Sequence, residues 1–272
     1  MPTRLLKDLA FGLTPPLVRR LLRPGSGLGF HGDFPDWNSA LATCSGYDQP
    51  AILEKVSAAT QAVAEGRAVY ERDSVLFDAP EYSWPLLAVL QKVAMRESNR
   101  LRLIDFGGSL GSTYRQCRGF LSEIPQVEWN VVEQAAFVAR GRERFQGPEL
   151  RFHPDIESCL AEGPMPCLLL SSVLQYLEDP YAFLASAIAK GFRYVVLDRT
   201  PLSASGSDRI VRQTVPPEIY AASYPARLLG RAKLLAAFAE AYDLVAEFPA
   251  LDGFDPKADF KGFFFVRKGN HE

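Results

Sequence analysis

The run Asp105-Phe106-Gly107-Gly108-Ser109-Leu110-Gly111 puts a carboxylate two residues ahead of a glycine-rich turn. Glycines at such a turn let the chain reverse sharply and let backbone approach a ligand closely. The Asp105 carboxylate suits the amino group of a methionine moiety and would repel a pyrophosphate. Glu133 follows roughly 20 residues past the glycines, where an acid can accept hydrogen bonds from both hydroxyls of a ribose. Gln134 is its neighbour. Glycines alone also fit a tight turn with no ligand, and Glu133 alone is an ordinary acid at the end of a strand. Together they point to a nucleoside-type cofactor.

Further along, Asp155 and Ile156 offer one polar contact and one apolar wall to an adenine ring, or Asp155 simply caps the next helix. Ser171, Ser172 and Tyr176 fall where open α/β sheets bind ligands, beyond the carboxyl end of a strand. Asp198 is a candidate proton acceptor, and Arg199 a candidate holder of an anionic group. The alternative is a salt bridge between these two, or to Glu71, Arg72 and Asp73. Gln213, Tyr220 and Tyr224 mix hydrogen-bonding groups with aromatic faces and, together with Glu71, Arg72 and Asp73, are expected to bind a sugar-like acceptor, or else they pack as loop and core. No histidine or cysteine spacing matches a metal motif, so no metal site is expected.

Strands must carry these residues to one edge. From residue 101 short apolar runs alternate with helical patterns: LRLIDF (101–106), EWNVVE (128–133), ELRFH (149–153), PCLLLSS (166–172) and FRYVVLD (192–198). Apolar runs of this length, separated by helices, indicate a parallel sheet buried on both faces. Two further strands, YDLVAEF (242–248) and KGFFFVRK (261–268), leave no room for a crossover helix and are expected to pair antiparallel. The fold class is therefore α/β: a doubly wound, mostly parallel seven-stranded Rossmann-like sheet with an antiparallel C-terminal hairpin and a helical N-terminal extension. The expected division is 1–99, covering the active site, and 100–272, binding the cofactor. Helices are expected over 51–65 and over 83–97, with Ser83 at the N-cap and Pro85 in the first turn. Residues 24–50 read as an ordered loop. Residues 199–225 read as a long lid-like loop leaving the sheet after Asp198.

The motifs ERDSVLFD (71–78), DFGGSLGSTY (105–114), WNVVEQ (129–134), LLLSSVLQYLEDPY (168–181), LDRTP (197–201) and QTVPPEIYAASYP (213–225), with GYD at 46–48, resemble those of a family of class I S-adenosylmethionine-dependent methyltransferases. The resemblance runs from about Phe34 to Arg267. It implies the class I fold and S-adenosylmethionine as cofactor. It names no acceptor; a link to surface-polysaccharide synthesis is the hint it carries. Ser109 departs from the broader class, where a middle glycine is common.

Bulk properties narrow the partners. The 272 residues carry a formal charge of -2, which gives no whole-protein attraction to nucleic acid. The four scattered cysteines read as reduced thiols in a cytoplasmic protein. Leucines mixed with arginines over residues 5–23 suit either a docking helix or a weak contact with a membrane surface, and Pro15 and Pro16 interrupt them. A small-molecule or saccharide-type acceptor is the expected partner. Two other classes compete. A non-catalytic methyltransferase-like binding module would not need both the glycine loop and Glu133. A nicotinamide-dependent oxidoreductase fits poorly with Asp105 and the C-terminal hairpin.

Overall fold

The computed structural model describes residues 29–45, 49–72, 74–79, 81–215, 222–252 and 255–270. Asp73, Tyr220, the GYD motif and the leucine- and arginine-rich segment before residue 29 lie outside them. Among the described residues no helix is long and apolar enough to cross a membrane.

The apolar runs become strands β4 (Arg100–Phe106), β5 (Gln126–Val132), β6 (Leu150–His153), β7 (Cys167–Ser171) and β8 (Tyr194–Ser203). They pair parallel with one another. The last two strands, β11 (Tyr242–Pro249) and β12 (Ala258–Arg267), pair antiparallel, and β12 also runs antiparallel to β8. The order across the sheet is β11-β12-β8-β7-β4-β5-β6. This is the doubly wound, mostly parallel Rossmann-like methyltransferase fold that the sequence predicts.

Strand residues alternate between two cores because successive side chains point to opposite faces. Leu103, Trp129, Val131, Leu169 and Val196 face one side. They pack on α2 (Gln49–Ala64), α3 (Trp84–Arg96), α4 (Ser112–Leu121) and α5 (Ala135–Arg144). Ile104, Leu168, Leu170, Val195 and Leu197 face the other. There they meet α6 (Ile156–Ala161), α7 (Pro180–Ala189) and α8 (Arg231–Phe238). Ser83 does occupy the N-cap of α3, with Pro85 in the first turn, but its hydroxyl makes no capping bond.

Two expectations give way. Residues 29–34 form a strand, β1 (Gly29–Phe34), within the stretch that reads as loop. Residues 199–225 are not one long loop. β8 continues past Asp198 to Ser203, and β9 (Arg209–Val215) and β10 (Ala222–Leu228) follow. β1, β9 and β10 make a separate three-stranded antiparallel sheet. The charged pair Asp198-Arg199 and Pro201, which has no N–H to give a ladder, look in sequence like the end of a strand. β12 supplies the missing support by pairing with residues 200–203. The remaining elements are α1 (Trp37–Leu41) and a small hairpin of β2 (Tyr70–Arg72) and β3 (Val75–Phe77).

Candidate active site

A cavity of about 630 Å³ opens at the carboxyl ends of β4, β5, β7 and β8. That volume falls within the roughly 300–1,000 Å³ of small-molecule sites. Its floor is the loop after β4, with Gly107, Gly108 and Ser109 on the wall. Gly107 has φ +75° and Gly111 φ +87°, left-handed values that favour glycine. A Cβ at Gly107 would lie 2.5 Å from Val173, and one at Gly108 2.5 Å from the Asp105 carboxyl. Ser109 also adopts the left-handed region, at φ 56°. Its backbone N–H donates to Glu133 Oε1 at 3.3 Å, and Glu133 Oε2 accepts from Gln134 N–H at 2.8 Å. Glu133 thus ties the loop to the end of β5. Burial raises its pKa, against the pull of those two N–H groups.

Asp105 is fully buried and is not on the cavity wall. It lies beneath Gly108, and its Oδ2 accepts from the Trp129 indole N–H at 2.9 Å. Burial pushes its pKa up to about 7, with Glu133 and Asp198 adding to the rise. Gly111 is also off the wall. It starts α4, and a Cβ there would meet Leu150 at 2.9 Å. Asp155 is the N-cap of α6, accepting from Ser158 N–H at 2.6 Å, and Ile156 is buried in the core. Neither lines the cavity. Pro154 does so in their place.

The opposite wall brings together residues far apart in sequence. Ser171 and Ser172 follow β7. Ser171 Oγ donates to Asp198 Oδ2 at 3.2 Å, while Asp198 Oδ1 is buried with no hydrogen bond of normal geometry among the described residues. Burial lifts the Asp198 pKa to about 6, with Arg199 opposing. Arg199 grips Asp252 through Nε and Nη2 at 3.0–3.1 Å. Asp252 is thus a salt-bridge partner of Arg199. Tyr176 sits edge-on to Tyr224, with ring centroids 5.3 Å apart, and its hydroxyl donates to Gln213 Oε1 at 3.0 Å. Gln213 and Tyr224 are paired across β9 and β10. Glu71 accepts from the Ser112 hydroxyl and from Ser74 N–H, which joins the ERD stretch to the start of α4. Arg72 lies over the Phe77 ring and pairs with Glu81 at 3.3 Å.

The lining also includes Trp37, Thr113 and Leu251, which the sequence reading leaves out of the site, and Ser83, which it reads only as a helix cap. Ser112 and Thr113 had a usable signal, since a helix start directly after a glycine loop offers free N–H groups to a ligand. Asp252 had none, because it sits in a turn-rich stretch with no regular spacing.

The glycine cradle, in which a Cβ at Gly107 or Gly108 would collide, and the Glu133 carboxylate on the wall fit a nucleoside-bearing cofactor such as S-adenosylmethionine. No family model and no curated protein matches the chain. Solved structures do. The glycopeptide N-methyltransferase MtfA complexed with S-adenosylhomocysteine is 14% identical with a TM-score of 0.48, covering 71% of this chain and 94% of that one. The N-terminal domain of EvdMO1, in the presence of S-adenosylhomocysteine and D-fucose, is 18% identical with a TM-score of 0.47, covering 81% and 97%. A 1,6-didemethyltoxoflavin-N1-methyltransferase from Burkholderia thailandensis is 13% identical with a TM-score of 0.45, covering 82% and 91%.

Proposed function

We propose that this chain is a methyltransferase that binds S-adenosylmethionine along Gly107–Gly111 and Glu133 and methylates a small-molecule or saccharide-type acceptor. The observation that carries the reading is the Ser109 N–H to Glu133 contact, which fixes the glycine loop and an acid together on the wall of a cavity of about 630 Å³. Glu133 would hold the ribose hydroxyls, and Gln134 and Pro154 would flank the adenine. Asp105 acts from beneath, holding the loop rather than touching ligand. The cofactor supplies an electrophilic methyl group. The protein's part is to align an acceptor with it and exclude water, which can supply roughly 7–11 kcal/mol of the barrier.

The acceptor chamber in this reading is formed by Asp198, Tyr176 and Tyr224, with Gln213 behind the wall holding the Tyr176 hydroxyl, and is closed from the other side by Glu71, Arg72 and Trp37. Residues 1–99 then act as a cover for the cofactor-binding unit at 100–272. The free cysteines suit a cytoplasmic setting. The motif resemblance favours a role in surface-polysaccharide synthesis.

Calorimetric titration with S-adenosylmethionine tests this. Binding by the native protein is expected, and Glu133→Ala should weaken it by roughly 10- to 100-fold, the value of hydrogen bonds to a charged group. Unchanged affinity in that variant removes the ribose assignment. Binding of reduced nicotinamide cofactor instead would replace the reading with the oxidoreductase one.

A further inference from the structure

Asp198 is 2% exposed and lies on the cavity wall. Ser171 occupies one of its oxygens, and the other, Oδ1, is buried with no hydrogen bond of normal geometry among the described residues, although the Arg199 backbone N–H lies near enough to favour the carboxylate. A buried carboxylate oxygen without a donor is costly, and on a cavity wall a small turn of the side chain lets an N–H or O–H from whatever fills the cavity complete it. The charges around it define what that donor is. Glu71 and Glu133 line the same cavity, and Asp105 lies behind its floor. The two guanidinium groups on the wall are engaged: Arg199 with Asp252, and Arg72 with Glu81. Cys117, on α4, is the remaining titratable neighbour, and burial raises its pKa.

We propose that the atom methylated is a hydroxyl oxygen of an uncharged acceptor, bound with its O–H directed at Asp198 Oδ1, so that the product is a methyl ether. The proposal rests on the methyltransferase reading and adds the acceptor atom to it. The hydroxyl oxygen forms the new C–O bond with its lone pair. The methyl–sulfur bond breaks with its electron pair left on sulfur. The O–H proton passes to Asp198 Oδ1, leaving a neutral carboxyl. Burial lifts the Asp198 pKa to about 6, so the neutral form is easier to reach than for a free aspartate while the group still rests as the accepting carboxylate near pH 7.

Other acceptor chemistries fit less well. A carboxylate or phosphate would meet three acidic groups on the wall, Glu71, Glu133 and Asp198, and two guanidiniums each already in an ion pair, with Arg72 Nη1 the one guanidinium nitrogen on the wall left without a partner among the described residues. An amine of ordinary pKa, about 10 for a lysine-like group, would be held by the same carboxylates as an ammonium, which has no lone pair to attack with. A hydroxyl is neutral in its resting form and keeps its lone pair while donating to Oδ1. The edge-on pair of Tyr176 and Tyr224, with Trp37 nearby on the wall, provides apolar faces for the carbon skeleton of such a molecule.

The test is a matched panel of methyl glycosides of common hexoses and deoxyhexoses, their 2-amino counterparts and their uronic acids. Each is offered to the full chain saturated with S-adenosylhomocysteine, with binding read by ligand-observed NMR. Each is then offered with methyl-labelled S-adenosylmethionine. Uncharged members should bind at least about tenfold more tightly than the uronic acids, a gap of roughly 1.4 kcal/mol. The label should appear in an ether that survives alkali. Asp198→Asn should retain cofactor affinity within about twofold, lose turnover by about 100-fold or more, and lose the acid limb of the pH–rate profile centred near the Asp198 pKa. Label found in an ester or on nitrogen overturns the proposal. So does a wild-type protein that binds cofactor yet neither binds nor methylates any uncharged glycoside, or an Asp198→Asn variant with normal turnover. The panel on wild-type protein decides the matter even if the variant does not fold. Failure of wild-type protein to bind cofactor at all would instead remove the methyltransferase reading beneath it.

Discussion

Two buried acids dominate the residue scale, and both titrate far from their ordinary range. Asp105 has a folded pKa of about 7 against 3.8 for the free side chain, and Asp198 is pushed to about 6. Between those values the folded protein keeps protons that the unfolded chain has released. Stability without ligand should therefore fall as pH rises through that window and level off above about pH 7. Asp105→Asn has no charge to desolvate and keeps an oxygen for the Trp129 indole. It should match the native protein near pH 4 and exceed it near pH 8 by on the order of a few kcal/mol. Urea denaturation at the two pH values reads this directly, and an equal gap at both would remove burial of charge as the cause. A second outcome concerns Ser109, whose φ of 56° suits glycine better than serine. Ser109→Gly should leave cofactor affinity within about threefold, because the contact to Glu133 uses the backbone N–H. Calorimetry checks it. At this scale the chain was legible where function is local. The glycine loop, Glu133 and Asp198 announce themselves by type and by position after apolar runs. Asp252 did not, because its meaning lies in a partner 53 residues away.

The element scale explains how Asp198 and Arg199 are aimed. In the β8–β12 ladder Leu197 pairs with Phe263 and Thr200 with Lys261. Asp198 and Arg199 therefore oppose the single residue Gly262, which is a β-bulge. Arg199 takes φ 53° there. Bulges turn a strand locally and are over-represented beside active sites because they re-aim side chains. Here the bulge allows one strand to carry both an acid on the cavity wall and an arginine that pairs with Asp252. Gly262 is required by packing as well, since a Cβ there would lie 2.0 Å from the Phe248 ring. Gly262→Ala should cost roughly 1–3 kcal/mol by overpacking. Its effect on turnover should exceed its effect on cofactor binding, because the bulge sets Asp198, the proposed proton acceptor. A thermal melt beside a cofactor titration separates the two, and an alanine variant as stable as the native protein would show the ring swings aside freely. Periodicity revealed the central strands because burial on both faces makes them continuous apolar runs. It missed residues 200–203, where Pro201 and the charges before it disguise a strand held by β12. It also missed β9 and β10, whose buried positions lack strict alternation.

For the whole molecule, the consequence is that two sheets meet at one cavity and that the smaller is tied to the larger through a small cluster. The seven-stranded sheet is packed on both faces by large clusters of buried residues. The three-stranded sheet packs through a small cluster, in which Phe30, Val211, Ala226 and Leu228 meet Ala258 and Phe260 of β12. Phe30 is its largest member, stacked on Phe260 with centroids 6.1 Å apart. It also joins β1, from the first tenth or so of the chain, to β9 and β10, some 180 residues later. Stability need not be uniform across such a structure, and a small core opens at lower free energy than a large one. Removing Phe30 should therefore act locally. Phe30→Ala deletes a buried aromatic, a change of about 3–5 kcal/mol in a well-packed core, and that exceeds what so small a cluster can absorb. Amide exchange over 29–34, 209–215 and 222–228 should accelerate by about 100-fold or more. β4, β5 and β7 should stay protected. Cofactor affinity should persist, because the loop after β4 and Glu133 belong to the larger sheet. Acceptor turnover should collapse, because Tyr224, proposed to line the acceptor chamber, and Gln213, which holds Tyr176, belong to the smaller one. Hydrogen exchange read by mass spectrometry on the native and variant proteins distinguishes this from its alternative. Uniform loss of protection across both sheets would mean a single cooperative unit, and the acceptor wall would then have no independent freedom to open.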